Sequence, residues 1–488
     1  MGLPRALLLL LHLADRAVSS DGDDRWTPHS PCPTEIKAIV PIGAPFGTHD
    51  EVHAAMKTCP NITELDLHAA PFGCVEFPNR YNLPFNLEGS DRYLSSPQVL
   101  KLDGYDFDER EWKTLDRELD SLKRLRPRFF SLDSRWSSDE YTWVSWFGNV
   151  LRFVDYGLTW VYSGNAFKWY RASQLPPKMQ NKTNLDLWLE AMDFSHIHTL
   201  AIKSGGLNND SVVHRLPARL SSLRSLTIQG PWIDNASPLP KIPPAGDFIL
   251  AFPPSSLTNL TWLDSGSCGE EVFDIVLQHH GETLQQLEWR NAEVMHYPRP
   301  AISIDQIQQL GTLAPRLQDL TIDLNREEDS WPLTKLDALG SNLPNLTNLT
   351  IYFELVSECG RKQRDDHGGG RCTESEYLAQ PLLNPHSATE IFKRLRAAKV
   401  GEELTAVHFR SGDWTQSWGD EPPIWDHYRM DDMVVRVDCS VINEEGTRKG
   451  VEKWCRGDEV PQDKWEATHG DSYHETIDYE VEDYDSVV

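Results

Sequence analysis

Residues 220–228 read LSSLRSLTI, and residues 343–351 read LPNLTNLTI. Each holds one phrase: an aliphatic residue, two polar positions, an aliphatic, one polar position and a last apolar residue. The phrase recurs as Ile197, Leu200, Ile202; Leu223, Leu226, Ile228; Leu257, Leu260, Trp262; Leu284, Leu287, Trp289; Leu317, Leu320, Ile322; Leu346, Leu349, Ile351; and Leu404, Val407, Phe409. The last members lie 26, 34, 27, 33, 29 and 58 residues apart, the final gap being two periods of 29. A repeat of that period marks a stacked architecture. Its apolar–polar alternation makes a short strand with the aliphatic side chains on one face.

Between phrases the period changes to that of a helix. Residues 271–280 carry Val272, Phe273, Val276 and Leu277 on one side, and residues 303–310 carry Ile304, Ile307 and Leu310. Ser267 with Glu270, Ser303 with Gln306, and Ser387 with Glu390 fit a capping box, in which side chain and backbone satisfy each other's orphan amides. A unit of helix, turn and strand cannot bury its own apolar face, so neighbouring units must share one elongated core. On these residues the chain resembles the leucine-rich-repeat superfamily, whose phrase is L-x-x-L-x-L. The helix-bearing units are similar to the ribonuclease-inhibitor type and to the repeat domains behind F-boxes, a divergent form of which is abundant in filamentous fungi. Most units here lack the asparagine that usually follows the phrase. The resemblance implies an α/β solenoid with parallel strands on a concave face, helices on the convex face and irregular caps.

A chain of 488 residues suggests about three globular domains. A solenoid escapes that arithmetic because its core grows with each unit, so one elongated domain with extensions is expected. The 47 basic against 74 acidic residues give a formal charge of -27, which disfavours nucleic acid and anionic membrane as partners. Residues 1–20 read as a secretory signal peptide: Arg5, an apolar core from Ala6 to Leu13, then Ala17, Val18, Ser19 and Ser20 before Asp21. That core is too short to span a bilayer, and no later segment is apolar enough. The expected location is secreted or cell wall.

Eight cysteines, an even number, suit disulfides in an oxidising compartment: Cys32, Cys59, Cys74, Cys268, Cys359, Cys372, Cys439 and Cys455. Cys359 and Cys372 flank a polar loop and form the first expected pair, Cys439 with Cys455 the second, and Cys59 with either Cys74 or Cys32 the third. No C-x-x-C spacing occurs, so neither a metal nor another cofactor is expected. Sequons stand at Asn61, Asn181, Asn209, Asn235, Asn259, Asn345 and Asn348. Three of them, Asn259, Asn345 and Asn348, belong to N-L-T repeat phrases, which the repeat generates without any need for a glycan. Asn235, in the loop DNASP, is the sequon best placed to carry one.

In chain order, a lead and cap are expected over 21–58, a solenoid over 59–410, a carboxy-terminal cap over 411–455 and a disordered acidic tail over 456–488. Early degenerate phrases fall at Ile62, Leu65, Leu67; at Leu100, Leu102; and at Phe130, Leu132, with an outer helix over 109–124. Residues 141–170 hold eleven aromatics, read either as buried packing of irregular repeats or as a platform for sugar rings. Residues 359–387 form a polar insertion. Residues 433–437 read as one more strand ending at Cys439.

Motifs of catalysis are missing: no G-x-S-x-G, H-E-x-x-H, phosphate-cradling loop or dinucleotide fingerprint occurs. His279, His280 and Glu282 sit at a helix end, where histidine meets backbone carbonyls. The expectation is a non-enzymatic binding protein. Polar positions beside the strand aliphatics should line the concave face: Asp66, His68, Asp103, Asp133, Lys203, Gln229, Arg290, Asp323, Tyr352 and Arg410. Such a surface suits a protein or glycan ligand bound through many weak contacts. The competing readings are an intracellular F-box-like adaptor, whose apolar start is a docking helix, and an unrecognised secreted hydrolase.

Overall fold

The computed structural model describes residues 31–40, 48–69, 83, 85–88, 91–105, 107, 110, 170–171, 173–203, 210–229, 244–263, 269–291, 299–327, 329–359, 378–412, 435–440 and 455–457. The signal segment 1–20, the aromatic stretch 141–169, the strand expected at Phe130 and Leu132, and nearly all of the helix expected over 109–124 lie outside them. So do Ser267, Cys74, Cys268, Cys372, the polar loop 360–377 and the tail beyond 457. The chain is α/β and divides into two compact units, residues 1–197 and 198–488.

In the first unit, β1 (Glu35–Val40) is followed by α1 (Thr48–Thr58), β2 (Glu64–Ala69) and β3 (Val99–Asp103). The strands run parallel in chain order, with Leu65 beside Leu100 and Leu67 beside Leu102. The amino-terminal cap therefore contains a sheet strand, which no leucine phrase announces. A disulfide from Cys32 to Cys59 ties the lead before β1 to the end of α1, with the Cα atoms 5.3 Å apart. Further on come α2 (Pro177–Gln180) and α3 (Asn184–Ala191). The latter is started by a capping box between Thr183 and Asp186. It plants Trp188 in a cluster with Phe85, Tyr93, Tyr105, Phe107 and Phe194. The buried indole N–H is satisfied by the Tyr105 hydroxyl at 2.6 Å.

The second unit holds β4 (Thr199–Lys203), α4 (Asp210–Arg215), β5 (Ser225–Gln229), α5 (Pro244–Leu250), β6 (Asn259–Leu263) and α6 (Gly269–His280). These are followed by β7 (Gln286–Arg290), α7 (Ile304–Leu313), β8 (Asp319–Leu324), α8 (Leu333–Asn342), β9 (Asn348–Phe353), α9 (Pro385–Ala398) and β10 (Ala406–Ser411). Every pairing from β4 to β10 is parallel and in chain order. The phrases thus become neighbouring strands: Leu226, Leu260, Leu287, Leu320, Leu349 and Val407 align in one row, and Ile228, Trp262, Trp289, Ile322, Ile351 and Phe409 in the next. All of these residues are buried.

A second row of bonds locks the entry to each strand. The carbonyl of His198 accepts from the amides of Arg224 and Ser225, and the carbonyls of Arg224, Thr258, Gln285, Gln318 and Thr347 each accept two amides from the next strand's start. On the helix side, α6 buries Val272, Phe273, Val276 and Leu277 as their spacing requires. The α7 capping box is present: Ser303 Oγ accepts from the Gln306 amide at 3.2 Å, and Gln306 Oε1 accepts from the Ser303 amide at 2.9 Å. The expected box at Ser387 is displaced. Asn384 caps α9, its Oδ1 accepting from the Ser387 amide at 2.9 Å, so Ser387 is the third helical residue. Pro385 explains the earlier start, since its fixed φ and missing N–H suit the first helical position.

The strand expected over 433–437 is β11 (Val435–Ser440), which runs antiparallel to β10. It pairs in turn with β12 (Cys455–Gly457), and a Cys439–Cys455 disulfide joins the two, with Cα atoms 4.0 Å apart. Arg456 and Gly457, expected in the tail, are therefore part of this cap. Cys359 is also disulfide-bonded. Among the described residues, no helix is long and apolar enough to cross a membrane.

Candidate functional site: the polar face of the parallel strands

Alternation along each strand sends one set of side chains into the core and the other to the opposite face. Ser225, Asn259, Gln286, Asp319 and Asn348 form one row of that face, and Thr227, Thr261, Glu288, Thr321, Thr350 and His408 the next. The second row is half-buried throughout. Neighbouring strands are about 4.8 Å apart, so the row presents two pairs of hydroxyls at that interval, Thr227 with Thr261 and Thr321 with Thr350, on either side of Glu288. Side chains bridge the strands. Gln286 Nε2 donates to Asp319 Oδ2 at 3.2 Å, Asn348 Nδ2 to Asp319 Oδ1 at 2.5 Å, and Thr405 Oγ1 to Asn348 Oδ1 at 3.2 Å.

The third row contains most of the residues expected to meet a ligand, and it is not uniformly open. Lys203, Tyr352 and Arg410 are half-buried, whereas Gln229, Arg290 and Asp323 are buried. Asp323 is enclosed by two guanidiniums, Arg299 at 3.1 Å and Arg290 at 3.5 Å, and accepts from the Asn291 amide at 2.6 Å. Burial pushes its carboxyl above the ordinary range, against the pull of both arginines. Arg290 also lies 3.2 Å over the Tyr352 ring, and Arg299 donates to the Tyr352 carbonyl at 2.9 Å. Arg290 and Asp323 are therefore corrected from surface contacts to interior ones. Arg299, which no motif marked, closes over Asp323, and the Tyr352 ring lies against Arg290.

Arg410 and His408 meet Asp438 of β11 at 2.8 and 2.7 Å. Partial burial opposes ionisation of Asp438, but the bonds from His408 and Arg410 hold its carboxyl below the usual range. In the first unit, His68 contacts Asp103 at 2.9 Å, Asp66 stands in register with Lys101, and Lys101 pairs with Glu64 at 2.6 Å. Asp133 lies outside the described residues. The early strands thus carry cross-strand ion pairs, and the later ones a stripe of threonines beside a buried ion cluster.

On this face the Thr261 hydroxyl donates to Glu288 Oε2 across a long 3.5 Å. His279 and His280 are turned to backbone, their Nε2 atoms lying 2.8 Å from the Phe252 carbonyl and 3.0 Å from the Ile249 carbonyl. A shallow charged cleft at the end of α9 is lined by Lys393, Arg396, Lys399, Glu402 and Glu403, away from the strands. Lys399 is occupied there with the carbonyls of Leu343, Pro344 and Val400, each at 2.9 Å. Among the described residues, no group of three or more His, Cys, Asp and Glu could hold a metal ion. The chain matches no family model, no curated protein and no solved structure.

Proposed function

We propose that this chain is a secreted binding protein of divergent leucine-rich-repeat type, without catalysis, whose strand face recognises a protein or glycan. The observation that carries the reading is the continuous register from β5 to β10, which brings one polar residue per strand, Thr227, Thr261, Glu288, Thr321, Thr350 and His408, into a single row. Many equivalent weak donors and acceptors suit an extended ligand better than a small substrate, for which convergent groups in a pocket would be needed. The solenoid reading accounts for that row, since each unit adds one strand to the face. The Cys32–Cys59 and Cys439–Cys455 disulfides fit an oxidising compartment and favour this reading over an intracellular adaptor.

The test uses the full-length secreted protein, soluble cell-wall polysaccharides and extracellular proteins of its host as probes, and the double variant Thr261→Lys/Thr321→Lys. Two lysines on the threonine row should abolish retention of whichever probe binds, with the melting temperature unchanged. Undiminished retention by the variant would place binding elsewhere. Polymer cleavage that disappears when one carboxylate is replaced would instead establish a hydrolase.

A further inference from the structure

Five of the seven sequons fall within the described residues, and their surroundings divide them into two groups. Asn61 is exposed in the turn between α1 and β2. Asn181 is exposed at the end of α2, where its Oδ1 accepts from Arg110 at 2.8 Å, a bond that does not engage Nδ2. Asn259, Asn345 and Asn348 are half-buried. Asn345 Nδ2 donates to the Pro315 carbonyl at 2.6 Å, which joins two successive turns. Asn348 is bound at both ends of its amide, through Nδ2 to Asp319 and through Oδ1 to Thr405. Asn259 stands inside β6, in register between Ser225 and Gln286.

We infer that the folded protein carries N-linked glycans at Asn61 and Asn181 and none at Asn259, Asn345 or Asn348. This rests on the secretory route proposed above. In the transfer, the donor is a lipid-linked pyrophosphoryl oligosaccharide. Asparagine Nδ2 bonds to the first sugar's C1, the C1–O bond to the pyrophosphate breaks, the lipid pyrophosphate leaves, and Nδ2 gives up one proton. The reaction takes place on the extended chain, so the fold does not gate it. Selection comes afterwards. A sugar on Asn348 would have to pass between side chains of strands about 4.8 Å apart, and one on Asn345 would open the turn-to-turn contact. A chain bearing either closes its strand ladder less readily than one without it. Sugars on Asn61 and Asn181 project from turns and leave the ladder intact. The same pattern keeps sugar off the polar face that the proposed ligand needs.

The experiment expresses the full chain behind an unrelated secretory leader in a glycosylating host. Peptides of the protein in the medium are then deglycosylated enzymatically in 18O-water, which labels each formerly occupied asparagine as aspartate. Label is expected at Asn61 and Asn181 and should be missing from Asn259, Asn345 and Asn348. Label at any of the last three, or its absence from Asn61 or Asn181, would overturn the inference. A parallel arm uses the chain's own first residues as leader. Failure of that arm alone would count against the secretory reading and leave the site assignment standing.

Discussion

Arg290 and Asp323, at the ends of adjacent strands, meet at 3.5 Å with their side chains 4% and 2% exposed. With Arg299 on the other side of the same carboxylate, the second unit holds two guanidiniums around one buried acid.

Removing that acid takes the 3.1 Å carboxylate from buried Arg299 and leaves buried Arg290 with the more distant Glu288, at 3.5 Å. Loss of one partner of a buried pair costs about 3–5 kcal/mol, most of it the desolvation of what remains. Asp323→Ala should lower the unfolding free energy by about that amount in urea titration. Thr321→Ala, two residues earlier on the half-buried face, should change it by no more than about 0.5 kcal/mol. Equal effects of the two substitutions would mean that the cluster is not buried as described.

His280 gives a pH dependence. Its side chain is fully buried, and burial is the main reason its pKa falls to about 4, with His279 contributing and the Ile249 carbonyl opposing. The unfolded chain binds the proton at about 6.5, so it takes up protons more readily than the folded protein. The contribution is therefore complete above pH ~6.5 and is lost as the pH falls toward 4, by up to roughly 3 kcal/mol. His280→Phe should flatten the stability curve between those pH values. A curve of unchanged slope would show that another group titrates there.

Gly311 tests how closely the helices approach. A Cβ at this position would collide with the Asn342 carbonyl at the end of α8, and one at Gly340 with the end of α9. Gly311→Ala therefore forces two units apart and should destabilise by about 1–3 kcal/mol, although alanine is the better helix former. A stabilised variant would contradict the close contact.

The strands of the second unit were legible because each phrase alternates at a fixed period, and the Ser303–Gln306 cap because its spacing precedes a helical stripe. Four features were not. β1 has Ile36 and Ala38 in alternation but no leucine phrase, so it passed for cap. α3 has its own Thr183–Asp186 box, yet lies after an aromatic stretch whose composition drew the reading away from helix. Alternation places Arg290 and Asp323 opposite the core row, but it cannot reveal that Arg299 meets Asp323 or that Tyr352 lies against Arg290. Nor does a pattern of period two distinguish direction, so the antiparallel turn at β11 had no signature. The disulfide pairing Cys439–Cys455 was legible from proximity in the chain, whereas Cys59 had two candidates until β1 brought Cys32 beside it.

The polar face exists only if the phrases are parallel neighbours in register, and cross-linking measures this directly. Thr321 and Thr350 are register partners, about 4.8 Å apart and within disulfide reach, whereas Thr321 and Asn348 are offset by two residues and about 8 Å apart, which is outside it. Peptide mapping without reductant should find Thr321→Cys/Thr350→Cys joined and Thr321→Cys/Asn348→Cys as two free thiols. A bond in the offset pair alone, or in neither, would contradict the ladder and remove the face built on it.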